Sequence, residues 1–245
     1  MNSISPNLNI MIKACERASK SLIRDFGEIE KLQVSKKGPK DFVTNSDLRV
    51  EKIIIDELEK ARPNYCLISE ELGIKKNRDS KNTWIIDPID GTVNFLHGVP
   101  HFAISIALKN NNEIISGLVY DPIKDEMFFA EKNNGAFLNN QKIRVSGKND
   151  IENCLFTTGG TLEKEPDFLY RKSGCAALDL AYVAAGRYDG YWQREINYWD
   201  IAAGVILVKE SGGFVGTIKG DDFGVEKIDI IATNSKIHKE LKNLL

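Results

Sequence analysis

Two carboxylates stand three residues apart at the point where an apolar segment ends. Residues 84–86 read Trp-Ile-Ile, and residues 87–92 read Asp-Pro-Ile-Asp-Gly-Thr. Pro88 restricts the backbone, and Gly91 permits a sharp turn or the close approach of a ligand to the main chain. Asp87 and Asp90 are therefore predicted to face one point at the end of a strand.

Further acidic residues occupy similar positions. Glu70 and Glu71 follow the apolar run 66–68, and Asp200 precedes the helical pattern that starts at residue 201. Carboxylates gathered near a core repel one another and lose hydration unless a cation neutralises them. Oxygen ligands suit a hard ion such as Mg²⁺. The pattern predicts a divalent metal site.

Each acidic position also has a purely structural interpretation. Asp200 could be a helix N-cap, Glu70 and Glu71 a solvated pair, and residues 87–90 a turn. Their joint occurrence at the ends of apolar elements favours the metal site. The three histidines, His97, His101 and His238, fit no zinc spacing. The four cysteines lack a C-x-x-C pair, which predicts free thiols in a reducing compartment.

The surrounding patterns alternate between helices and short strands. A helix is predicted from Pro6, and a second follows Ser46, with Asp47 in its first turn. Apolar runs between residues 66 and 138 are separated by Asn- and Gly-containing turns, which predicts a largely antiparallel sheet in the N-terminal part. Helical patterns return at 176–185, 201–210 and 235–245. We expect one layered α/β domain spanning 1–245, with halves of about 1–145 and 146–245.

Composition limits the classes of function. The 245 residues are 42% hydrophobic, and 33 basic against 35 acidic residues leave a net charge of −2, which predicts no affinity for polyanions. No basic leader or apolar run of about 18 residues is present, so a cytoplasmic protein without membrane attachment is expected. The motifs G-x-G-x-x-G, G-x-x-x-x-G-K and G-x-S-x-G are also missing, which disfavours hydride transfer, P-loop chemistry and serine hydrolysis.

Two motifs resemble the inositol monophosphatase family. They are residues 84–95 and residues 199–204, the latter followed by Glu-Ser-Gly-Gly at 210–213. Supporting matches lie at 41–47, 69–71 and 174–180. The resemblance implies an α-β-α-β-α layered sugar-phosphatase fold, usually a homodimer. It also implies Mg²⁺-dependent, lithium-sensitive hydrolysis of a phosphorylated polyol or sugar, with inositol monophosphate as the first expectation.

The same resemblance implies roles for individual residues. Glu70, Asp87 and the carbonyl of Ile89 would hold one Mg²⁺, and Asp87, Asp90 and Asp200 a second, with two or three ions in each site. Glu70 would help to position the attacking water. Thr92, which could otherwise be an N-cap, would form a catalytic pair with Asp47. The substrate contacts would be Asp90, Gly91, Thr92, Ala176, Gln193 and Asp200.

The sequence departs from the family at two places, and other functions stay open. Gln193 occupies a position where many members carry a glutamate, although Glu195 would point to the same face of a continuing strand. The segment 158–169 is shorter than usual. A related phosphatase acting on fructose 1,6-bisphosphate, histidinol phosphate or a 3′-phosphonucleotide would use the same carboxylates. By family analogy alone, a non-catalytic interaction with the transcription machinery or nucleic acid is a further alternative.

Overall fold

The structure is a computed structural model that describes residues 4–29, 34–38, 41–160, 166–218 and 227–245. In 34–38 and 41–43 only the backbone is described. Part of the short segment 158–169, residues 161–165, lies outside the described residues. Two helices cover one face of the molecule, α1 (Pro6–Phe26) and α2 (Asn45–Ala61). Their apolar sides pack together, as the sequence predicts.

Local caps set where these helices begin. Pro6 is the first residue of α1 after the cap Ser5, whose side chain accepts a hydrogen bond from the Leu8 amide. The second helix starts two residues earlier than Ser46 suggests, because Thr44 caps it. Asp47 lies in the first turn and completes a capping box with Thr44. The position predicted for Asp47 is confirmed.

The larger sheet has eight strands. Their spatial order is β10-β9-β8-β7-β6-β5-β3-β4, and every neighbouring pair is antiparallel except β3 with β5. This confirms the largely antiparallel sheet. The bounds are β3 Tyr65–Ser69, β4 Gly73–Lys75, β5 Asp79–Asp90, β6 Ala103–Asn110, β7 Glu113–Asp121, β8 Glu126–Glu131, β9 Gly135–Leu138 and β10 Gln141–Lys142. A separate hairpin joins β1 (Val34–Gly38) to β2 (Asp41–Thr44).

A second sheet of five strands follows a short 3-10 helix at Ile151–Asn153. Its order is β12-β11-β13-β15-β14, with β11 parallel to both β12 and β13. The bounds are β11 Leu155–Thr158, β12 Leu169–Arg171, β13 Gly190–Ile196, β14 Gly213–Gly216 and β15 Ile228–Asn234. The remaining helices are α3 (Thr92–Leu96), α4 (Ala176–Ala184), α5 (Tyr198–Glu210) and α6 (His238–Leu244).

Helices α4 and α5 form the central layer between the two sheets. Helix α5 contacts five strands of the larger sheet and two of the smaller one, and its residues 201–208 are all buried. The far face of the smaller sheet packs against α6. The layers therefore run α1/α2, large sheet, α4/α5, small sheet, α6. This confirms the α-β-α-β-α architecture, whereas the division near residue 145 stays an interpretation.

Candidate functional site

The parallel pairing of β3 with β5 brings two carboxylates to one edge of the large sheet. Ser69 is paired with Ile86, so Glu70, just after β3, and Asp87, inside β5, lie at the same level of neighbouring strands. The Glu70 amide donates to the Ile86 carbonyl at 3.2 Å. Asp87 is 1% exposed, and an interaction with the Glu70 carboxyl adds to the rise in its pKa that burial causes. Two close carboxyl groups, one of them buried, need either a shared proton or a cation.

The end of β5 is bent by an irregularity that turns Asp90 toward the same place. The register with β6 shifts between Asp87 and Asp90, and the Ile89 amide donates to Asp87 Oδ1 at 3.0 Å. Gly91 has φ +91°, as a sharp turn requires. A Cβ on Gly91 would lie 3.1 Å from the His101 carbonyl oxygen, so the close approach that this glycine permits is to the chain itself.

The fourth carboxylate comes from the start of α5. Asp200 is the third residue of this helix, and its Oδ2 accepts the Asn197 amide at 3.3 Å. Asn197, three residues earlier, is the cap. The interpretation of Asp200 as an N-cap is therefore wrong, because the helix begins before it. The cap contact occupies Oδ2 and fixes the carboxylate at the helix start.

The electrostatics show that these four side chains share one environment. Burial raises the pKa of Asp87 well above its usual range, and the charges of Glu70, Asp90 and Asp200 raise it further. Burial followed by the Asp90 charge raises the pKa of Asp200 to about 8. The pKa of Asp90 is also raised, first by burial, although hydrogen bonds from Ala177 and Cys175 act against the shift. Mutual repulsion is thus concentrated at one point.

This donor set has the chemistry of a hard-cation site. Carboxylate oxygens and a main-chain carbonyl are the ligands that Mg²⁺ accepts. Bound positive charge would remove the repulsion that raises the pKa values of Asp87 and Asp200. Within the described ranges, however, no three or more His, Cys, Asp or Glu side chains already form a recognisable ion-binding group. The fit of this site to Mg²⁺ therefore rests on the mutually repelling carboxylates at the ends of β3 and β5 and the start of α5.

The raised pKa values predict how stability depends on pH without metal. An aspartate in the unfolded chain has a pKa of about 3.9. Between that value and the raised folded-state pKa, about 8 for Asp200, the folded protein binds more protons than the unfolded chain. Stability should therefore fall as pH rises through this window. We expect a lower Tm in EDTA at pH 8 than at pH 5.5. Saturating Mg²⁺ should reverse most of the loss at pH 8. A Tm in EDTA that is the same at pH 5.5 and pH 8 would contradict the raised pKa values.

Thr92 and Asp47 approach each other beside the carboxylates. Thr92 is the first residue of α3 and Gly91 is its N-cap, so the N-cap interpretation of Thr92 is wrong. The Thr92 hydroxyl lies 3.0 Å from the Ile89 carbonyl oxygen and 3.4 Å from Asp47 Oδ1. The Thr44 amide donates to Asp47 Oδ2 at 2.7 Å and the Thr44 hydroxyl at 2.5 Å. Asp47 is therefore held by its own helix cap while its other oxygen faces Thr92.

Helix α4 begins against Asp90. Its N-cap residue, Cys175, makes no side-chain capping hydrogen bond. Asp90, which is 85 residues before Cys175 in the chain, caps the helix instead. Asp90 Oδ2 accepts the Ala177 amide at 2.5 Å and the Cys175 thiol at 3.2 Å. Ala176 is the first residue of the helix, between these two donors. The sequence reasoning missed Cys175 and Ala177, although the 174–180 motif was a signal for this region.

Comparison with known proteins decides the family. The model of the inositol monophosphatase family matches residues 4–245. An inositol-1-monophosphatase of Rhizobium meliloti is 43% identical, covering 97% of this chain and 95% of its own length. A Nus factor SuhB of Xylella fastidiosa is 39% identical, covering 98% and 94%. The crystal structure of the extragenic suppressor protein suhB from Bartonella henselae has a TM-score of 0.93, 44% identity and 98% coverage of both chains.

The chain belongs to the inositol monophosphatase family. Membership makes it a phosphatase, a hydrolase of phosphoric monoesters, and confirms the resemblance carried by the two main motifs. The family is generally metal-dependent, in agreement with the chemistry of the carboxylate cluster. No helix in the described part of the chain has the length and apolar character needed to cross a bilayer.

The position where many family members carry a glutamate has a distinct geometry here. The Tyr191 hydroxyl donates to Gln193 Oε1 at 2.7 Å. This contact uses the amide oxygen and leaves the Nε2 donors on the opposite side. The register with β15 shifts after Gln193, and Glu195 is exposed with φ +54°. The expectation that Glu195 follows Gln193 on one face of a regular strand is wrong, because the strand is irregular at this point.

Proposed function

We propose that the chain hydrolyses inositol monophosphate to inositol and phosphate, using Mg²⁺ held by the carboxylate cluster. The observation that carries the proposal is the buried Asp87, whose charged form is opposed by Glu70, Asp90 and Asp200 together. One ion would be held by Glu70, Asp87 and the Ile89 carbonyl, and another by Asp87, Asp90 and Asp200. Two or three ions would be bound in each site. A homodimer is proposed on the family resemblance, and a cytoplasmic location on the cysteines, which lack a C-x-x-C pair.

The chain's own residues would organise the reaction. Bound Mg²⁺ would supply neutralisation of the phosphate, a lower pKa for the attacking water and stabilisation of the leaving alkoxide. Glu70 and the Thr92 hydroxyl would orient the water. For Thr92 to accept a hydrogen bond from that water, its own proton must point to Asp47 and leave the Ile89 carbonyl. The 3.4 Å approach of Thr92 to Asp47 supports this assignment.

The remaining substrate contacts follow from the same positions. The amides of Gly91 and Thr92 would receive the phosphate where β5 turns into α3. Asp90, Asp200 and the first turn of α4 at Ala176 would face the alcohol part of the ester. Gln193 would line the polyol side of the pocket.

The direct test is phosphate release from a panel of monoesters. Inositol 1-phosphate, fructose 1,6-bisphosphate, histidinol phosphate and a 3′-phosphonucleotide should be compared with and without Mg²⁺. We expect turnover only with Mg²⁺ and the highest kcat/KM for inositol 1-phosphate. A higher kcat/KM for another ester would identify that ester as the substrate in place of inositol monophosphate. No release from any ester would overturn it.

The relatives named Nus factor SuhB support a second candidate, an interaction with the transcription machinery. It does not require turnover, so the two functions can be separated. The Asp90→Asn variant, free of RNA, should be tested for association with RNA polymerase beside the wild type. Retained association without hydrolysis would establish an interaction role independent of catalysis, and lack of association in both would exclude it.

Gln193 is expected to affect recognition of the polyol more than chemistry. In Gln193→Glu, one carboxylate oxygen can keep the Tyr191 hydrogen bond and the other can accept from a substrate hydroxyl. Charge-assisted hydrogen bonds are roughly twice as strong as neutral ones. We expect kcat/KM for inositol 1-phosphate to rise by up to about tenfold, equivalent to ~1.4 kcal/mol. The rise should be smaller for glycerol 2-phosphate.

Glu195→Gln is the matched control for this prediction. The backbone turns at Glu195, and its side chain is exposed. We expect both substrates to be hydrolysed at nearly wild-type rates. Selective loss of inositol 1-phosphate hydrolysis in this variant would identify Glu195 as the polyol contact and contradict the assignment of Gln193.

Lithium inhibition provides a further check on the proposed ion sites. If Li⁺ occupies a site vacated after hydrolysis, inhibition should be uncompetitive with respect to the ester and should weaken as Mg²⁺ is raised. Initial rates at several concentrations of substrate, Li⁺ and Mg²⁺ measure this. An enzyme that Li⁺ does not inhibit at all would remove lithium binding from the proposal. The assignment of the Mg²⁺ ligands would then be tested by the variants alone.

A further inference from the structure

Asp179 is a buried carboxylate that the proposed chemistry does not use. It lies in the first turn of α4 and is 1% exposed. Its Oδ1 accepts a hydrogen bond from the Ser173 hydroxyl at 2.5 Å. Burial raises its pKa to about 7, while interactions with Ser173 and Thr157 act to lower it. Burying a carboxylate is unfavourable unless it is paired with a cation or accepts hydrogen bonds.

The partner of Asp179 lies in the segment that leads into α4. The Ser173 hydroxyl, held as a donor by Asp179, accepts the Cys175 amide at 3.4 Å. The Ser173 carbonyl accepts a hydrogen bond from Asn94 Nδ2 at 2.8 Å. Ser173 therefore connects Asp179 to both the start of α4 and the motif that carries Asp90.

The segment 173–177 in turn holds Asp90. The Cys175 thiol and the Ala177 amide both donate to Asp90 Oδ2. Gly174 has φ +80°, and a Cβ there would lie 3.2 Å from Asn94 Nδ2. Gly174 and Asn94 are therefore closely packed, which limits movement of the segment relative to the motif 84–95 that carries Asp90. A movement of Ser173 would consequently displace the two donors that orient this carboxylate.

We propose that Asp179 is a positioning residue for the metal site, acting through Ser173 and the 173–177 segment to fix the orientation of Asp90. The inference rests on the proposed function, because Asp90 is assigned there as a metal ligand. Hydrogen-bonding partners behind a ligand set its orientation, and their loss typically lowers metal affinity about 10- to 100-fold. Asp179 acts because its carboxylate oxygen accepts the Ser173 hydrogen bond, and its negative charge contributes less to the positioning of Asp90 than this hydrogen bond does.

Three variants separate hydrogen bonding from charge. Ser173→Ala keeps the Asp179 charge and breaks the connection, Asp179→Ala removes both, and Asp179→Asn keeps an acceptor oxygen without the charge. We expect the Mg²⁺ concentration for half-maximal activity to rise about tenfold in Ser173→Ala and Asp179→Ala, with kcat at saturating Mg²⁺ within threefold of wild type. Asp179→Asn should remain within threefold in both. The double variant Ser173→Ala/Asp179→Ala should be no worse than either single variant.

A readout independent of turnover distinguishes this inference from the proposed function. The Mg²⁺ concentration that raises Tm by half its maximum should shift in the same order among the variants. Asp189→Asn is the structural control. Asp189 is buried and accepts hydrogen bonds from the Leu155 amide and Lys148. Its loss should lower Tm without changing the Mg²⁺ midpoint.

Defined outcomes would overturn the positioning role. If Asp179→Asn raises the Mg²⁺ midpoint as much as Asp179→Ala does, the charge of Asp179 and not its hydrogen bond causes the effect. Additive effects in the double variant would disconnect Ser173 from Asp179. Unchanged Mg²⁺ midpoints in all variants would leave Asp179 purely structural. If no ester is hydrolysed but the Tm midpoints shift as expected, the positioning role stands and only the proposed activity fails.

Discussion

Asp90→Asn is expected to lose turnover while remaining folded. The substitution keeps the side-chain volume and an oxygen that can accept the Ala177 amide, but it removes one of the charges proposed to hold Mg²⁺. Electrostatic stabilisation by bound metal contributes several kcal/mol to such reactions. A loss of about 4 kcal/mol corresponds to a fall in kcat/KM of ~10³-fold. Phosphate release from inositol 1-phosphate at saturating Mg²⁺ measures the effect.

The same variant should reverse its rank in stability when metal is added. Asp90 is one of the charges that oppose ionisation of Asp87 and Asp200, so neutralising it relieves repulsion in the metal-free protein. We expect a higher Tm than wild type in EDTA at pH 8 and a lower Tm in saturating Mg²⁺. Glu71→Gln, the same chemical change beside Glu70, should leave activity within twofold. Wild-type activity in Asp90→Asn would eliminate the proposed arrangement of metal ligands.

Removal of the Thr92 hydroxyl should produce the second large effect. Positioned proton acceptors of this kind contribute about 10²- to 10⁴-fold. We expect Thr92→Ala to lower kcat by at least about 10²-fold with little change in Tm, whereas Thr92→Ser keeps most activity. Asp47→Asn should fall similarly, and the double variant should be little worse because the two side chains act as one unit. Steady-state kinetics of the four proteins test this coupling.

Asp47 also stabilises α2, so its variant needs a control for folding. Thr44→Ala removes the same helix cap without touching the Thr92 side of Asp47. It should cost about 0.5–2 kcal/mol of stability. Its kcat should remain within a few-fold of wild type at a temperature where the protein is folded. A loss as large as that of Asp47→Asn would assign the effect to the helix cap.

The sequence was most informative where charge interrupts apolar segments. Asp87, Asp90, Glu70 and Asp200 could be selected because a carboxylate at the end of a buried element is costly without a partner. Periodicity was sufficient for α1, α2 and the central strands of the large sheet. The pairing of Thr92 with Asp47 came from the family resemblance, since their separation in the chain carries no local signal.

The parts that escaped prediction depend on short or distant contacts. Strands such as β4 and β10 have only three and two residues, too few to show an alternating pattern. The capping of α4 by Asp90 and the hydrogen bond from Asn94 to Ser173 join residues that are 87 and 79 positions apart. The observed caps, Thr44 and Asn197, lie two and three residues before the expected positions, Ser46 and Asp200. Tertiary contacts decided each of these details.

The central helix layer bears on whether the two halves could exist as separate polypeptides. Residues 201–208 of helix α5 are apolar on all sides because each sheet packs against them, and α4 receives its cap from the other half of the chain. Cleavage of the peptide backbone between β10 and β11 should therefore yield two pieces that stay bound and co-elute in gel filtration. Expressed singly, the piece lacking residues 146–245 should aggregate, because the sheet face that α5 covers would be open to solvent. Co-expression of both pieces should recover a soluble, complementing pair.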